Sequence, residues 1–396
     1  MVERFKSIVV GRGMMGAAAG KYLAASGDGV AIIGPDEPAN WSTHRGVFGS
    51  HYDEARITRT IDSNPVWARL ANRSIARYGS IAADSGVDFY EEVGCLIVGP
   101  KRGGSDPYIS QVEAAAAELG VETEMLSAAE LKNRFAYFEF GVECEGVFEG
   151  PHAGYVNPRR LVEAQSVLAA RAGATLIRHA VVSIREEAGL AVVTTDDGRE
   201  FAAEKVLVAA GGFSIAANLL PRPVHLSVYG RTVAFFEIPD GGLSAYAGMP
   251  SLIHQPDDPR EHIYLLPPVR YPDGRTYLKI GGDPDDLLLA TEPDIRAWFR
   301  GGGRETTRDH LQGVIARLVP GLKEVRPSMA ACVTSFTPDN YPAIGFASER
   351  IAVLTGGCGA AAKSSDEIGR LGAALLQHGA IEDDAYGDVF SPVFRD

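Results

Sequence analysis

SIVVGRGMMGAAAGKYLAASGDGVAII, residues 7–33, decides the fold class of this chain. Ser7 to Val10 reads as a short buried strand and Ala17 to Ala25 as a small-residue helix closed by Ser26-Gly27. Val30 to Ile33 is a second buried strand. Between the first strand and the helix stand Gly11, Gly13 and Gly16, with Met14 and Met15 inside the turn they form. Such glycines allow a tight turn, a close backbone approach to a pyrophosphate, and close helix–strand packing. The helix N-terminus then offers unpaired N–H groups and its positive dipole end to the phosphates. Strand, glycine turn, helix and strand within about thirty residues make a dinucleotide-binding βαβ unit. One position departs from the pattern: Gly34 stands where an acidic residue would hold a ribose hydroxyl. Asp36, two residues on, is the candidate replacement and Glu37 the next; a solvated turn residue before Pro38 is the other reading of Asp36.

Two more strands run into glycine further along. Lys205 to Gly212 (KVLVAAGG) brings Gly211 to a strand end, and Thr355 to Gly359 (TGGCG) brings Gly357 and Gly359 between a strand at Ile351–Leu354 and a helix near Ser365–Leu376. Three such junctions spread from end to end predict one cofactor domain assembled from residues 1–90, 151–220 and 330–396. Residues 91–150 and 221–329 have turn-rich, aromatic, strand-like content and predict a second, substrate-binding domain, with Asp273-Gly274 closing a hairpin. Asn157 and Pro158 open a helix that runs to about Gly173.

Composition narrows the function. The 396 residues suit two or three cores at about 150 residues per domain, and 45% hydrophobic with 22% charged residues is the mixture of a folded globular protein. A formal charge of −13, with no compensating basic stripe, argues against a nucleic-acid partner. No apolar run approaches the ~20 residues of a membrane helix. The start, MVERFKSIVVGRG, passes straight into strand pattern without a signal-peptide core, so a cytoplasmic location is expected. Cys95, Cys144, Cys332 and Cys358 are widely spaced, without C-x-x-C, and the nine histidines contain no H-E-x-x-H; neither disulfide framework nor metal site is expected.

Five blocks, taken in order, are similar to the glycine-oxidase/D-amino-acid-oxidase superfamily of FAD enzymes, and within it to the monomeric sarcosine oxidase and N-methyltryptophan oxidase branch. GRGMMG resembles the FAD pyrophosphate loop, and SHYDEARITR (50–59) the basic block set against the flavin. YLKIGG (277–282) places Lys279 where the family keeps a lysine over the flavin. ACVTSFTPDNYPAIG (331–345) puts Cys332 where this branch attaches FAD by a thioether to the isoalloxazine 8-methyl, and GGCGAAAKSS (356–365) puts Lys363 at a substrate-binding lysine. The resemblance spans nearly the full length and implies an α/β (α+β) fold: a Rossmann-like FAD-binding domain assembled from separated segments, plus a mainly antiparallel β-sheet substrate domain.

It also implies roles. FAD is the expected cofactor, covalent through Cys332, with Gly11, Gly13, Met14, Met15, Gly16, Asp36, His51, Gly211, Gly357, Gly359 and Lys363 around it; Cys358 is the rival attachment point. Arg59 and Lys363 form a substrate carboxylate clamp, a fork and a point charge. Arg56 favours negative charge on the reduced ring, and Lys279 promotes reaction with oxygen. Alone, Arg56 and Arg59 have a second reading, a surface helix face paired with Asp53 and Glu54. Two departures redraw the amine pocket: Tyr52 follows His51 where the family pairs histidines, and Asp283 stands where a histidine is common. Tyr264, Leu265 and Leu266 line this pocket or are ordinary core strand residues. The expected activity is oxidation of a secondary or N-substituted amino acid, with an imine hydrolysed and O2 reduced to H2O2, by a monomer or small homo-oligomer. The alternatives are a dehydrogenase with another acceptor, a fructosyl-amino-acid or opine oxidase, a non-catalytic FAD-binding protein, and an NAD(P)-linked dehydrogenase.

Overall fold

The computed structural model describes residues 2–395. Its opening unit is the strand Glu3–Val10, the helix Met14–Ser26 and the strand Val30–Ile33, the two strands pairing in parallel from Ser7–Val30 to Val10–Ile33. The first strand starts earlier than its apolar run because Glu3, Arg4 and Phe5 find ladder partners in Phe201, Ala202 and Ala203. That partner strand, Glu200–Val208, lies beside Glu3–Val10 on one edge. Its other edge pairs first with Leu190–Thr195, antiparallel, and then with Ile351–Thr355, parallel. Glu3–Val10, Glu200–Val208 and Ile351–Thr355 are thus parallel neighbours, and all three glycine junctions emerge at the same edge of the eight-stranded sheet. Ligands of open α/β sheets bind beyond the carboxyl ends of such strands.

A second sheet of nine strands takes its strands from residues 95–149 and 227–336. It is antiparallel apart from the pair Ser251–His254 and Cys95–Pro100. The hairpin Ile263–Arg270 and Thr276–Gly281 turns at Asp273-Gly274, where Gly274 has φ +82°. The strand Ser328–Phe336, assigned from residue 330 to the cofactor segments on sequence, belongs to this second sheet, pairing along its length with Ser227–Glu237. Its alternating apolar residues find a ladder there, which carries Cys332 into the seam between the two sheets. A short sheet of Arg56–Thr58, Gly154–Val156 and Tyr90–Glu91 holds the basic block, so Arg56 and Arg59 stand on and just after a strand, not on a helix face. The helix opened by Asn157, whose side chain accepts from Arg160 N, spans Pro158–Arg171.

The helix Met14–Ser26 packs on the last helix, Ala361–His378, across Gly369, where a Cβ would lie 2.7 Å from Ala19 N. Beside this contact Asp366 and Glu367 are completely buried. Lys21 Nζ and Arg77 Nε each lie 2.6 Å from Asp366, while Arg77 and Arg370 lie 2.7 Å from Glu367. Burial alone would push the Glu367 carboxyl up, but Arg370 and Arg77 hold it at about 2, below its ordinary 4.5. A depressed carboxyl contributes stability above its unfolded value and loses it as pH falls from 4.5 towards 2, here about 3 kcal/mol at 1.36 kcal/mol per unit. Glu367→Gln is therefore expected to cost about 3–5 kcal/mol at neutral pH and to flatten the acid limb of stability. Urea unfolding at pH 7 and pH 3 checks this; an unchanged acid slope would refute the assignment.

Candidate active site

Beyond the three strand ends lies an elongated cavity of about 650 Å3. Gly11, Gly13, Met14 and Met15 line it from the first junction, Gly211 from the second, and Gly357 and Gly359 from the third. Gly11 has φ +105°, and a Cβ there would strike the Ala209 carbonyl. Gly16 stays behind the cavity wall, where a Cβ would strike Gly11 O. Thr355 Oγ1 donates to Gly211 O at 2.9 Å and ties two junctions together.

The chemistry of this cavity fits a dinucleotide. Neither Gly13 before the helix Met14–Ser26 nor Ala360 before Ala361–His378 caps its helix with a side chain, so first-turn N–H groups are left for an anion. Arg12 Nε is buried without a hydrogen-bond partner. One end is walled by Ala180, Val181 and Val182, and the other by His51, Arg56 and Cys332. Burial first, and then Arg12, Arg159 and Arg56, push His51 down to about 3, so its imidazole is neutral. Tyr52, beside it, is 9% exposed with its ring edge-on to His51 at 4.6 Å; burial raises its hydroxyl to about 12.

Cys332 and Arg56 are in contact. Arg56 Nη2 lies 3.3 Å from Cys332 Sγ and donates to Ser50 O at 3.1 Å. Trp298 Nε1 fixes the Cys332 carbonyl at 2.8 Å. Cys358 sits at φ +46° with its sulfur near Thr337 and does not line the cavity; burial raises its thiol.

Lys279 is 1% exposed behind this end of the cavity. Its ammonium donates to Asp53 Oδ2 at 2.6 Å and to the Ala55 carbonyl. Burial lowers Lys279 against the opposing pull of Asp53. Asp53, which sequence reasoning treated only as a partner of surface arginines, also lies 3.2 Å from Arg56 Nε. Burial would raise its carboxyl, but Lys279 and Arg56 outweigh it and hold it low.

Arg59 and Lys363 are brought together, with Asp62 between them: Asp62 Oδ2 lies 3.0 Å from Arg59 Nη2 and 3.2 Å from Lys363 Nζ. Burial lowers Lys363, while Asp62, which burial alone would raise, is held down by Lys363 and Arg59. Arg59 Nε is buried without a partner. Tyr264 packs its ring against Gly281, 5.9 Å from Lys279 Nζ, and Leu265 belongs to the core of the second sheet. Asp283 pairs with Arg231 at 3.3 Å, and burial raises it to about 6. Asp36 does not line the cavity; Arg12 and Arg178 hold its carboxylate, as Arg159 holds Glu37. An arginine inside the glycine turn was the signal that Asp36 would be claimed by the protein. None of Arg59, Lys363, Tyr264, Asp283 and Lys279 lines the elongated cavity. Among the described residues, no helix is long and apolar enough to cross a membrane.

A family model described as FAD dependent oxidoreductase matches residues 6–375. Monomeric sarcosine oxidase from Bacillus sp. (strain NS-129) is 27% identical over 391 residues, covering 97% of this chain and 96% of that protein. N-methyl-L-tryptophan oxidase from Yersinia pestis (strain Pestoides F) is 25% identical, covering 93% and 94%. Among solved structures, NikD, an unusual amino acid oxidase essential for nikkomycin biosynthesis, superposes with a TM-score of 0.78 at 20% identity, covering 100% and 99%. Amadoriase I from Aspergillus fumigatus, a fructosyl amine:oxygen oxidoreductase, does so with a TM-score of 0.72 at 18% identity, covering 99% and 90%.

Proposed function

Since this chain belongs to the family of FAD-dependent oxidoreductases, we propose that it oxidises a secondary or N-substituted amino acid and passes the electrons to dioxygen. The observation that carries this reading is the convergence of three glycine junctions on one cavity that ends at Cys332 and Arg56, with Lys279 buried behind. When bound, FAD would supply a two-electron acceptor for the hydride next to the amine nitrogen and a route for those electrons to oxygen. Gly11, Gly13 and the helix start at Met14 would hold its pyrophosphate, His51 and Arg56 its ring end, and Cys332 the covalent bond. Arg56 places a cation where negative charge develops. By the resemblance Arg59 and Lys363 would bind the substrate carboxylate; both are here paired with Asp62 and line neither cavity, so substrate binding would require this cluster to open. Release of the product as an imine, hydrolysed by water, completes the substrate's half of the reaction.

Oxygen uptake and peroxide release by the FAD-loaded protein, with sarcosine, N-methyl-L-tryptophan, L-proline, fructosyl amino acids and the parent primary amino acids, test this reading. One peroxide per oxygen with N-substituted members, and little turnover of the primary ones, is expected. Cofactor reduction without oxygen uptake would make the chain a dehydrogenase.

A further inference from the structure

A second cavity, about 330 Å3, adjoins the first across Ser50, Tyr52, Arg56 and Cys332, which line both. It reaches the surface beside the exposed Pro272 and Asp273. At its inner end is Asp53, 5% exposed, whose Oδ1 accepts from the Tyr271 hydroxyl at 2.9 Å. Lys279, bonded to the other oxygen of the same carboxylate, lines neither cavity. The groups around Lys279 Nζ are Asp53, the Ala55 carbonyl, Arg56, Cys332 and the Tyr264 ring. Of these groups Asp53, Arg56 and Cys332 line the second cavity, and of the three Asp53 is the one hydrogen-bonded to the ammonium.

We propose that Asp53 relays protons from the second cavity to Lys279, with Tyr271 holding the carboxylate in line. The proposal rests on the oxidase reading above. Joining a hydride equivalent to dioxygen consumes one proton, O2 + H− + H+ → H2O2, and the buried Lys279 ammonium is the acid placed to give it. Once Lys279 is a neutral amine, the strongest attraction keeping Asp53 ionised is gone, and burial favours the protonated carboxyl. Asp53 then takes a proton from water in the cavity and passes it across the 2.6 Å contact, restoring the ammonium.

Asp53→Asn preserves shape but carries no proton. Stopped-flow reoxidation of the substrate-reduced holoenzyme is expected to slow about a hundredfold, the lower end of what positioned acid–base groups contribute, with a larger solvent deuterium isotope effect. Added imidazole should restore the rate in proportion to its concentration. Ala330→Phe narrows the same cavity without touching a charge, should slow the same step, and decides the matter if Asp53→Asn does not retain FAD. Without cofactor, lysine labelled with carbon-13 at Cε reports the ionisation of Lys279 by NMR; its midpoint is expected to move to lower pH in Asp53→Asn, because the lysine loses its counter-charge. Reoxidation that is unchanged in both variants, a slowing in Asp53→Asn that imidazole does not relieve, or an unmoved NMR midpoint overturns the relay while leaving the oxidase reading intact. A wild-type enzyme that forms no peroxide overturns both.

Discussion

Cys332→Ala is expected to turn a chain that stays yellow after acid precipitation and washing into one that releases all of its FAD. In the native fold Cys332 is the cysteine on the cavity wall, with the Arg56 guanidinium 3.3 Å from its sulfur and its backbone fixed by Trp298. Removing the sulfur leaves Arg56 its bonds to Ser50 and Asp53, so the variant should fold and take up FAD reversibly. Cys358→Ala should keep the colour, because that sulfur lies by Thr337 and off the cavity wall. Spectra of the redissolved precipitates check both variants. A wild-type precipitate without colour would remove the covalent bond from the account and leave the FAD site in place.

Lys279→Met should separate the two halves of the reaction. Bleaching by substrate should survive, while reoxidation by air slows by about 10²–10³, the usual cost of removing one group that stabilises developing charge. Asp53 would retain Arg56 at 3.2 Å and the Tyr271 hydroxyl, so its carboxyl stays hydrogen-bonded whether or not it takes up a proton, and the fold stays intact. Rapid mixing of the reduced variant with aerated buffer measures this. Equal reoxidation rates in variant and wild type would leave oxygen activation to Arg56.

Local pattern carried the fold a long way. The G-R-G-M-M-G turn, KVLVAAGG and TGGCG are read from a few neighbouring residues, because a glycine turn after an apolar strand constrains the backbone by itself. That they meet at one edge depends on the pairing of Glu3–Val10, Glu200–Val208 and Ile351–Thr355, which three separated strand patterns suggest without specifying. The site was less legible where charges choose distant partners. Arg12 claims Asp36 across 24 residues, Asp62 divides its carboxylate between Arg59 and Lys363, and Asp53 reaches Lys279 across 226. No periodicity reports such contacts. An acidic residue three positions from each of two arginines was the available signal, and it fitted an exposed ion pair equally well.

A flavin held in the elongated cavity would take electrons from an N-substituted amino acid and return them to oxygen. The most direct test of this is the visible spectrum of the purified protein under argon, recorded before and after adding an N-methylated amino acid, and again after admitting air. A flavin band that bleaches with the amine and returns with oxygen as peroxide appears is the expected result. A protein that binds no flavin when FAD is supplied, or a flavin band that no N-substituted amino acid bleaches, would contradict it.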